Sequence, residues 1–263
     1  MFIGSSRTHS TIYPKIIDSI TGLSSYNAGV DGGSMRDFKM TLDGYLVNHP
    51  SPKFLFLTID PASYERSGTI YDPIQYFPFI KKNKVIEKAF LSMGYYTFLM
   101  KNVPVLNFIY MDDYSKNNAI AGLMGKTEIP AGEFQDNGFL SNTRKCLDST
   151  DKYKNGFGTI SPDPKNINMF QSMIDTCINR NIQLVITYAP EYKHRLKSLI
   201  SNFNTFIGLM YDKVNANKLM YYRDDSLAMN TDSCLFKDLL HVNVYGAVVY
   251  SKILGQRIKM LRE

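Results

Sequence analysis

Cysteine is scarce in this sequence, and its spacing excludes two ways of stabilising a protein. The chain of 263 residues contains three cysteines, Cys146, Cys177 and Cys234, and no Cys-x-x-Cys pair. An odd number without paired spacing predicts neither a zinc ribbon nor a framework of disulfides. We therefore expect three free thiols that are buried or half-buried.

Long hydrophobic runs are missing as well. No stretch approaches the roughly 18 apolar residues that a membrane-spanning helix needs, so no span is predicted in this chain. The first predicted strand begins at residue 2, directly after a methionine. This unusual position predicts an upstream export signal or anchor in the natural protein. We expect a periplasmic or cell-surface location in that case, and a cytoplasmic one if the chain is complete.

Signals of nucleotide and nucleic-acid binding are absent too. The glycine-bearing turn at residues 29–33 has neither the Gly-x-Gly-x-x-Gly pattern nor the lysine of a phosphate-binding loop. The net charge is +6, but the basic residues are scattered except at 81–84. The ordinary interpretation of this positive charge is a solvated surface, and the alternative is a preference for acidic substrates. We expect no nucleic-acid partner.

The sequence does contain alternating strand and helix patterns. With 44% hydrophobic and 21% charged residues, it has an ordinary globular composition and enough length for a large core. The alternation predicts a parallel sheet of about five strands in a three-layer α/β/α, flavodoxin-like fold. In chain order the predicted elements are a strand at 2–5, a helix at 12–20 closed by Gly22, a strand at 24–27, a helix from an N-cap at Ser34 to 47, a strand at 53–59, a helix at 166–179, a strand at 183–188, a helix at 192–215, a strand at 219–222 and a helix at 244–261.

The regular alternation stops between residues 61 and 165. This stretch has many aromatic residues, glycines and asparagines, and its best helical pattern covers 85–100. A connection between a strand and a helix is normally only a few residues long in such folds. We therefore predict one domain, residues 1–263, with a large insertion after the third strand, residues 61–165, that forms a cap or lid.

Candidate catalytic residues lie at the ends of predicted strands, which converge on one crevice in a parallel sheet. Ser6 follows the first strand, and Asp238 and His241 lie just before the last helix, which has a predicted N-cap at Asn243. An aspartate on one ring nitrogen of a histidine leaves the other nitrogen to take a proton from a serine. We expect Ser6 as the nucleophile, His241 as general base and then acid, and Asp238 as the orienting residue.

Other polar residues near these strand ends complete the predicted site. The backbone N–H groups of Ser6 and Gly32 are candidates for an oxyanion hole, which stabilises negative charge on the substrate oxygen. Asp60 and Glu191 follow the third and fourth strands, and Arg7 follows the nucleophile. All three are candidates for substrate binding. A local structural ion pair is the alternative for Asp60 and Arg7.

Three blocks of this sequence resemble the SGNH (GDSL-like) hydrolase superfamily. Phe-Ile-Gly-Ser-Ser-Arg at 2–7 resembles the first block, with Ser5 in place of the usual aspartate. Residues 26–32 resemble the second block, and Asp-Leu-Leu-His at 238–241 matches the last one, Asp-x-x-His. The blocks come in the family's order and frame the whole chain. The resemblance implies a serine esterase that needs neither a metal nor an organic cofactor.

The third block departs from the family pattern. The family has Gly-x-Asn-Asp, in which the asparagine donates to the oxyanion, whereas this chain reads Thr58-Ile59-Asp60-Pro61. An ionised Asp60 would repel an oxyanion, so three interpretations stay open: it is protonated, it faces away, or it binds a substrate group or Arg7. The Gly-Ser-Ser-Arg and Ile-Asp-Pro variants resemble SGNH-like proteins that accompany polysaccharide O-acetylation, which implies an acetyl-carbohydrate ester as substrate.

Two alternatives to hydrolysis stay open from the sequence. One is an O-acyltransferase for cell-surface polysaccharide, in which a sugar hydroxyl replaces water as the acceptor. The other is an inert SGNH-like domain that binds a polysaccharide or a partner protein. A Ser6–His241 contact of about 3 Å would weaken the second alternative, and an Asp60 carboxylate at the oxyanion position would favour it. The sequence gives no expectation for the oligomeric state.

Overall fold

A computed structural model of the chain contains a parallel β-sheet between two layers of helices. It describes residues 1–65, 70, 73, 76–94, 102–103, 105–109, 113–125, 136–141, 145–147, 158–223 and 225–261. The strands are β1 (Phe2–Gly4), β2 (Asn27–Gly29), β3 (Phe54–Thr58), β4 (Gln183–Thr187) and β5 (Met220–Tyr222). Neighbouring strands are parallel, in the order β2-β1-β3-β4-β5. This is the flavodoxin-like order, so the predicted fold class is confirmed.

Helices connect the strands and cover both faces of the sheet. They are α1 (Ser6–His9), α2 (Pro14–Thr21), α3 (Met35–Asn48), α4 (Pro61–Glu65), α5 (Phe77–Ile80), α6 (Lys84–Ser92), α7 (Val105–Ile109), α8 (Asp113–Leu123), α9 (Pro164–Asn179), α10 (Arg195–Leu199), α11 (Phe203–Ala216) and α12 (Val244–Met260). Single turns of 3-10 helix lie at Asp136–Gly138, Tyr192–His194, Ala228–Thr231 and Ser233–Leu235. Within the described part of the chain, none of these helices is both long and apolar enough to cross a membrane.

Side chains of the central strand β3 pack into two separate apolar cores, one on each face of the sheet. Leu55 and Leu57 belong to the core that β3 shares with α3, α9 and α11. Phe54 and Phe56 belong to the core on the other side, which α2 and α12 cover. All four side chains are buried. A parallel strand buried on both faces needs a continuous apolar sequence, which explains the unbroken run at 53–59.

Three helices begin or end at the capping residues predicted from the sequence. Ser34 begins α3 through a capping box with Asp37, whose carboxylate accepts from the hydroxyl and the N–H of Ser34. Asn243 caps α12 by accepting from two N–H groups of the first turn, at 3.0 and 3.1 Å. Gly22 ends α2 in the left-handed conformation, with φ of 67°.

The predicted long helix at 192–215 is wrong. The structure has a 3-10 turn, α10 and α11 in its place. Asn202 separates α10 from α11, because its side chain accepts from the N–H of Ile160 at 2.9 Å and donates to the carbonyl of Ile160 at 2.7 Å. A contact with a distant segment therefore interrupts a pattern that is helical on local grounds.

Two further local differences concern β2 and the cysteines. The predicted strand at 24–27 is displaced, because β1 pairs Phe2 with Asn27 and so begins β2 there. Cys177 is buried on α9, but Cys146 and Cys234 are exposed. The expectation that all three thiols are buried or half-buried is wrong for these two.

The described parts of the insertion pack on the main domain in separate places. Helices α5 and α6 lie against α3 in a small apolar cluster that includes Tyr76 and Phe90. Phe139 enters the core beside α2 and α12, and the N–H of Leu140 donates to the carbonyl of His9 at 3.1 Å. The predicted helix at 85–100 corresponds to α6, and residues 95–100 lie outside the described residues. A lid role for residues 61–165 stays a prediction.

Candidate active site

The turn after β1 and the loop before α12 bring Ser6 and His241 together. Ser6 is the first residue of α1, and His241 lies just before the N-cap of α12. The Oγ atom of Ser6 is 2.9 Å from Nε2 of His241, although the two residues are 235 positions apart in the chain. The His241 side chain is 21% exposed. The pair is therefore held by the fold and can still be reached from solvent.

Asp238 holds the other side of the His241 imidazole. Its Oδ1 and Oδ2 atoms lie 3.0 and 3.1 Å from Nδ1 of His241. Oδ1 also accepts from the backbone N–H groups of Leu240 and His241, each at 2.9 Å. Because a carboxylate can only accept, Nδ1 of a neutral imidazole carries the proton here. Nε2 then accepts from the hydroxyl of Ser6.

Asp238 is stabilised as a carboxylate. Its partial burial favours the neutral acid, but the hydrogen bond and charge of His241, with the two backbone N–H groups, outweigh burial and lower the pKa of Asp238 below its ordinary value. An ionised Asp238 fixes the tautomer of His241 and stabilises the protonated imidazole. The arrangement can therefore accept a proton from Ser6 and hold it.

Ser5 and Asp60 form a second polar contact beside Ser6. The Ser5 hydroxyl donates to Oδ2 of Asp60 at 2.9 Å and accepts from the N–H of Arg7 at 3.3 Å, which caps α1. Oδ1 of Asp60 accepts from the N–H of Ala62 at 3.1 Å. Within the described residues, no hydrogen bond joins Asp60 to Arg7.

The turn that follows β2 carries Gly32. Its φ of 64° lies in the left-handed region, where a side chain is disfavoured. Gly29, at the end of β2, packs so closely on α1 that a Cβ atom there would lie 2.5 Å from the backbone nitrogen of His9. The absence of a side chain at Gly29 therefore lets the turn with Gly32 lie beside the helix that begins at Ser6.

Arg7 and Glu191 are buried, with 2% and 1% of their surface exposed. Nη2 of Arg7 donates to the carbonyl of Ala189 at 2.6 Å, and the guanidinium lies 4.8 Å from the centre of the Tyr188 ring. The Tyr188 hydroxyl donates to Glu191 at 3.2 Å, and Arg223 also lies 4.8 Å from the ring centre. We call Arg7, Tyr188, Glu191 and Arg223 the Arg7 cluster.

The charges of this cluster stabilise one another against burial. Burial favours a neutral Arg7, but Tyr188, Glu191 and Asp60 outweigh burial and raise the pKa of Arg7. Burial raises the pKa of Glu191, and Arg7 opposes that effect. The cluster thus anchors α1 directly behind Ser6. Neither Arg7 nor Glu191 presents surface to a substrate in this arrangement, and a substrate-binding role for them stays a prediction.

Sequence reasoning gave no role to Asp31, which also lies near the site. Its Oδ1 atom is 3.0 Å from Nδ1 of His9, and its side chain is 53% exposed. Partial burial acts to raise the pKa of Asp31, but His9, and more weakly His241 and Lys237, lower it. The sequence feature that could have indicated a position near the site is that Asp31 directly precedes Gly32, a predicted oxyanion-hole residue. The approach of His9 depends on how α1 packs on β2.

The described residues contain no group of three or more histidine, cysteine, aspartate or glutamate side chains arranged to hold a metal ion. The polar contacts near Ser6 are instead the Ser6–His241–Asp238 chain and the Ser5–Asp60 and His9–Asp31 pairs. The chemistry that these side chains themselves supply is proton transfer and nucleophilic attack.

Comparisons with known proteins give structural similarity only. No protein-family model and no curated protein matches this chain. The structure is similar to that of a GDSL-like lipase from Bacteroides thetaiotaomicron VPI-5482, at 11% identity over 99% of this chain and 87% of the other, with a TM-score of 0.47. It is also similar to a catalytic mutant of an acetylxylan esterase from Geobacillus stearothermophilus, at 11% identity over 98% and 92% of the two chains, with a TM-score of 0.44.

Proposed function

We propose that this protein is a serine esterase of the SGNH type, with Ser6 as its nucleophile. The observation that carries the proposal is the unbroken contact from Ser6 through His241 to Asp238, with distances of 2.9 and 3.0 Å. These side chains come from opposite ends of the chain. Their contacts run from a hydroxyl to an imidazole to a carboxylate, which is the arrangement that nucleophilic catalysis requires. A contact of this length also weakens the alternative of an inert binding domain.

The proposed reaction has two halves. As Ser6 Oγ bonds to the ester carbon, His241 takes the hydroxyl proton, and Asp238 stabilises the resulting imidazolium. His241 then gives the proton to the departing alcohol, which leaves the acyl group on Ser6. In the second half, His241 takes a proton from water as the water oxygen attacks the acyl carbon. The bond between that carbon and Ser6 Oγ then breaks, His241 returns the proton to Ser6, and the carboxylic acid leaves.

The developing oxyanion needs donors close to Ser6. The N–H of Ser6 is the first of α1, and a helix does not satisfy its first N–H groups internally. The N–H of Gly32 is the second proposed donor. Asp60 cannot donate while ionised, and its oxygens accept from Ser5 and Ala62. We therefore propose an oxyanion hole with one donor fewer than the family pattern, and a correspondingly slow esterase.

For the substrate we propose an acetyl ester of a carbohydrate. One support is the resemblance of the Gly-Ser-Ser-Arg and Ile-Asp-Pro motifs to proteins of polysaccharide O-acetylation. The other is the polar surroundings of the site, where the half-exposed carboxylate of Asp31 lies within the electrostatic reach of His241 and Lys237. Such groups favour an alcohol portion with hydroxyls over a long alkyl chain, since burying polar groups against hydrocarbon is unfavourable.

Labelling with a fluorophosphonate probe tests the nucleophile. We expect the wild type to be labelled, Ser6→Ala to be unlabelled and His241→Ala to be labelled far more slowly. Ser19→Ala is the matched control, because Ser19 is exposed on α2 and its hydroxyl donates to the carbonyl of Ile16 in the same helix. If the folded wild type takes no label, the inert binding domain becomes the better interpretation.

Rates on defined esters test the substrate class. We expect p-nitrophenyl acetate to be cleaved at least about 10-fold faster than the octanoate, and an acetylated oligosaccharide to release acetate. Equal rates for acetate and octanoate would contradict the acetyl part of the proposal, and no release of acetate from the oligosaccharide would contradict the carbohydrate part. Acetyl transfer to an added sugar, at the expense of free acetate, would assign the protein to the acyltransferases.

A further inference from the structure

Two exposed cysteines meet where the insertion touches the loop that leads to Asp238. Cys146 lies in the insertion and Cys234 in that loop, and both are exposed. The Cys146 thiol raises the pKa of Cys234 above its ordinary value, ahead of the weaker effects of burial and Asp232. This electrostatic influence agrees with the contacts between the two segments that carry the thiols.

Backbone contacts hold the two cysteine-bearing segments together. The N–H of Leu147 donates to the carbonyl of Ser233 at 3.0 Å. The side-chain amide of Asn243 donates to the carbonyl of Lys145 at 3.2 Å and to that of Cys234 at 2.7 Å. Because Asn243 is also the N-cap of α12, both segments are tied to a fixed point of the fold. A bond between the sulfurs would therefore join two segments that the fold already holds side by side.

We propose that Cys146 and Cys234 are a disulfide-forming site that reacts with a low-molecular-weight disulfide such as oxidised glutathione. One cysteine thiolate attacks the glutathione disulfide and releases one reduced glutathione, which leaves a mixed disulfide on the protein. The other thiolate then attacks the protein sulfur of that mixed disulfide and releases the second glutathione. Two electrons pass from the cysteine pair to glutathione, whose sulfurs take up the two thiol protons.

Cys177 does not compete in this reaction. It is buried on α9, and burial raises the pKa of its thiol to about 12, so almost no thiolate is present at neutral pH. A single intramolecular product is therefore expected. The inference is independent of the proposed esterase activity, because its chemistry does not involve Ser6 or His241.

The disulfide joins distant parts of the chain and so restricts the unfolded state. The long loop between Cys146 and Cys234 would be closed covalently, which is the situation in which a disulfide stabilises most. We expect oxidation to raise the Tm by roughly 4–16 °C. The backbone contacts at Ser233 and Lys145 already exist in the reduced protein, so the geometry around His241 stays as it is.

The test is oxidation of the folded protein with oxidised glutathione, followed by alkylation in denaturant, intact-mass measurement and peptide mapping. In the wild type and in Cys177→Ser we expect the loss of two hydrogens, a peptide linking residues 146 and 234, and the rise in Tm. Cys146→Ser and Cys234→Ser should carry one glutathione on the remaining exposed thiol and show no such rise. Two bound glutathiones on the wild type, or two exposed thiols that stay open to alkylation, would overturn the proposal.

Discussion

Two histidine–aspartate pairs lie near the candidate active site, with equal contact distances and different surroundings. Nδ1 of His241 is 3.0 Å from Asp238, and Nδ1 of His9 is 3.0 Å from Asp31. Asp238 is 17% exposed and also accepts two backbone N–H groups, whereas Asp31 is 53% exposed. Only the far nitrogen of His241 contacts Ser6 in the described structure. The imidazole–carboxylate distance is the same in the two pairs and so does not separate them. The pair proposed for catalysis differs in that its carboxylate is fixed by backbone N–H groups and its histidine contacts a serine.

The largest expected difference is between the two histidines. His241→Ala removes the proposed general base for Ser6, so we expect kcat for p-nitrophenyl acetate to fall by roughly 10⁴–10⁶-fold. His9→Ala should lower kcat by less than about 10-fold, because His9 is placed to hold Asp31. Steady-state kinetics on variants with an unchanged Tm measure both. A similar loss in the two variants would remove the distinction between the pairs.

The two aspartates should differ in the same direction. Asp238→Asn replaces an acceptor of the Nδ1 proton with a group that can favour the wrong tautomer, so we expect kcat to fall by about 10³–10⁴-fold. Asp31→Asn should change kcat by less than about 10-fold and act mainly on KM for a carbohydrate ester. If Asp31→Asn lowers kcat as strongly for a simple aryl ester, Asp31 takes part in the proton transfer.

A smaller effect is expected at Asp60, the acid that has neither of these histidines as a partner. Asp60→Asn removes a negative charge and supplies an amide donor, so we expect kcat to rise by about 10-fold. Ser5→Ala is the control, since it removes a donor to Asp60 and keeps the charge, and it should give no rise. A loss of activity in Asp60→Asn would show that the carboxylate itself is needed.

The smallest expected effect is on stability as a function of pH. The folded pKa of Asp238 is lowered, so its stabilisation is fully present above the unfolded value of about 3.9 and is lost as the pH falls through the folded value. We expect the wild type to exceed Asp238→Asn in unfolding free energy by about 1–3 kcal/mol at neutral pH, and this difference to vanish in strong acid. Urea unfolding over a pH series measures it. For Asp31→Asn, solvent screening should make the difference smaller.

Features that depend on neighbouring residues could be predicted from the sequence. The N-caps Ser34 and Asn243 act within one helical turn, and the apolar run at 53–59 needs no partner to be recognised as a buried strand. The candidate triad, Ser6, His241 and Asp238, could be predicted for a related reason. Asp238 and His241 are three residues apart, and Ser6 follows a strand that any parallel sheet brings to the same edge.

Features that depend on distant contacts could not be predicted. The break at Asn202 needs the backbone of Ile160, which lies in another segment. The burial of Arg7 needs Tyr188 and Glu191, and a charged residue after a strand is ordinarily expected at the surface. The Cys146–Cys234 contact joins two loops without a spacing motif. In each case the structure of the residue is determined by a partner that is distant in the chain, and the local sequence does not identify that partner.

The separation of Ser6 from His241 has a consequence for synthesis on the ribosome. The proposed nucleophile emerges long before the proposed base, which emerges only shortly before α12. That helix is held to the start of the chain by Ser251, whose hydroxyl accepts from the N–H of Tyr13 at 2.8 Å and donates to the carbonyl of Thr11 at 3.3 Å. Until α12 docks, the loop with His241 lacks its support and Ser6 remains an ordinary alcohol. Chains that have not yet formed α12 are therefore expected to lack the proposed esterase reactivity.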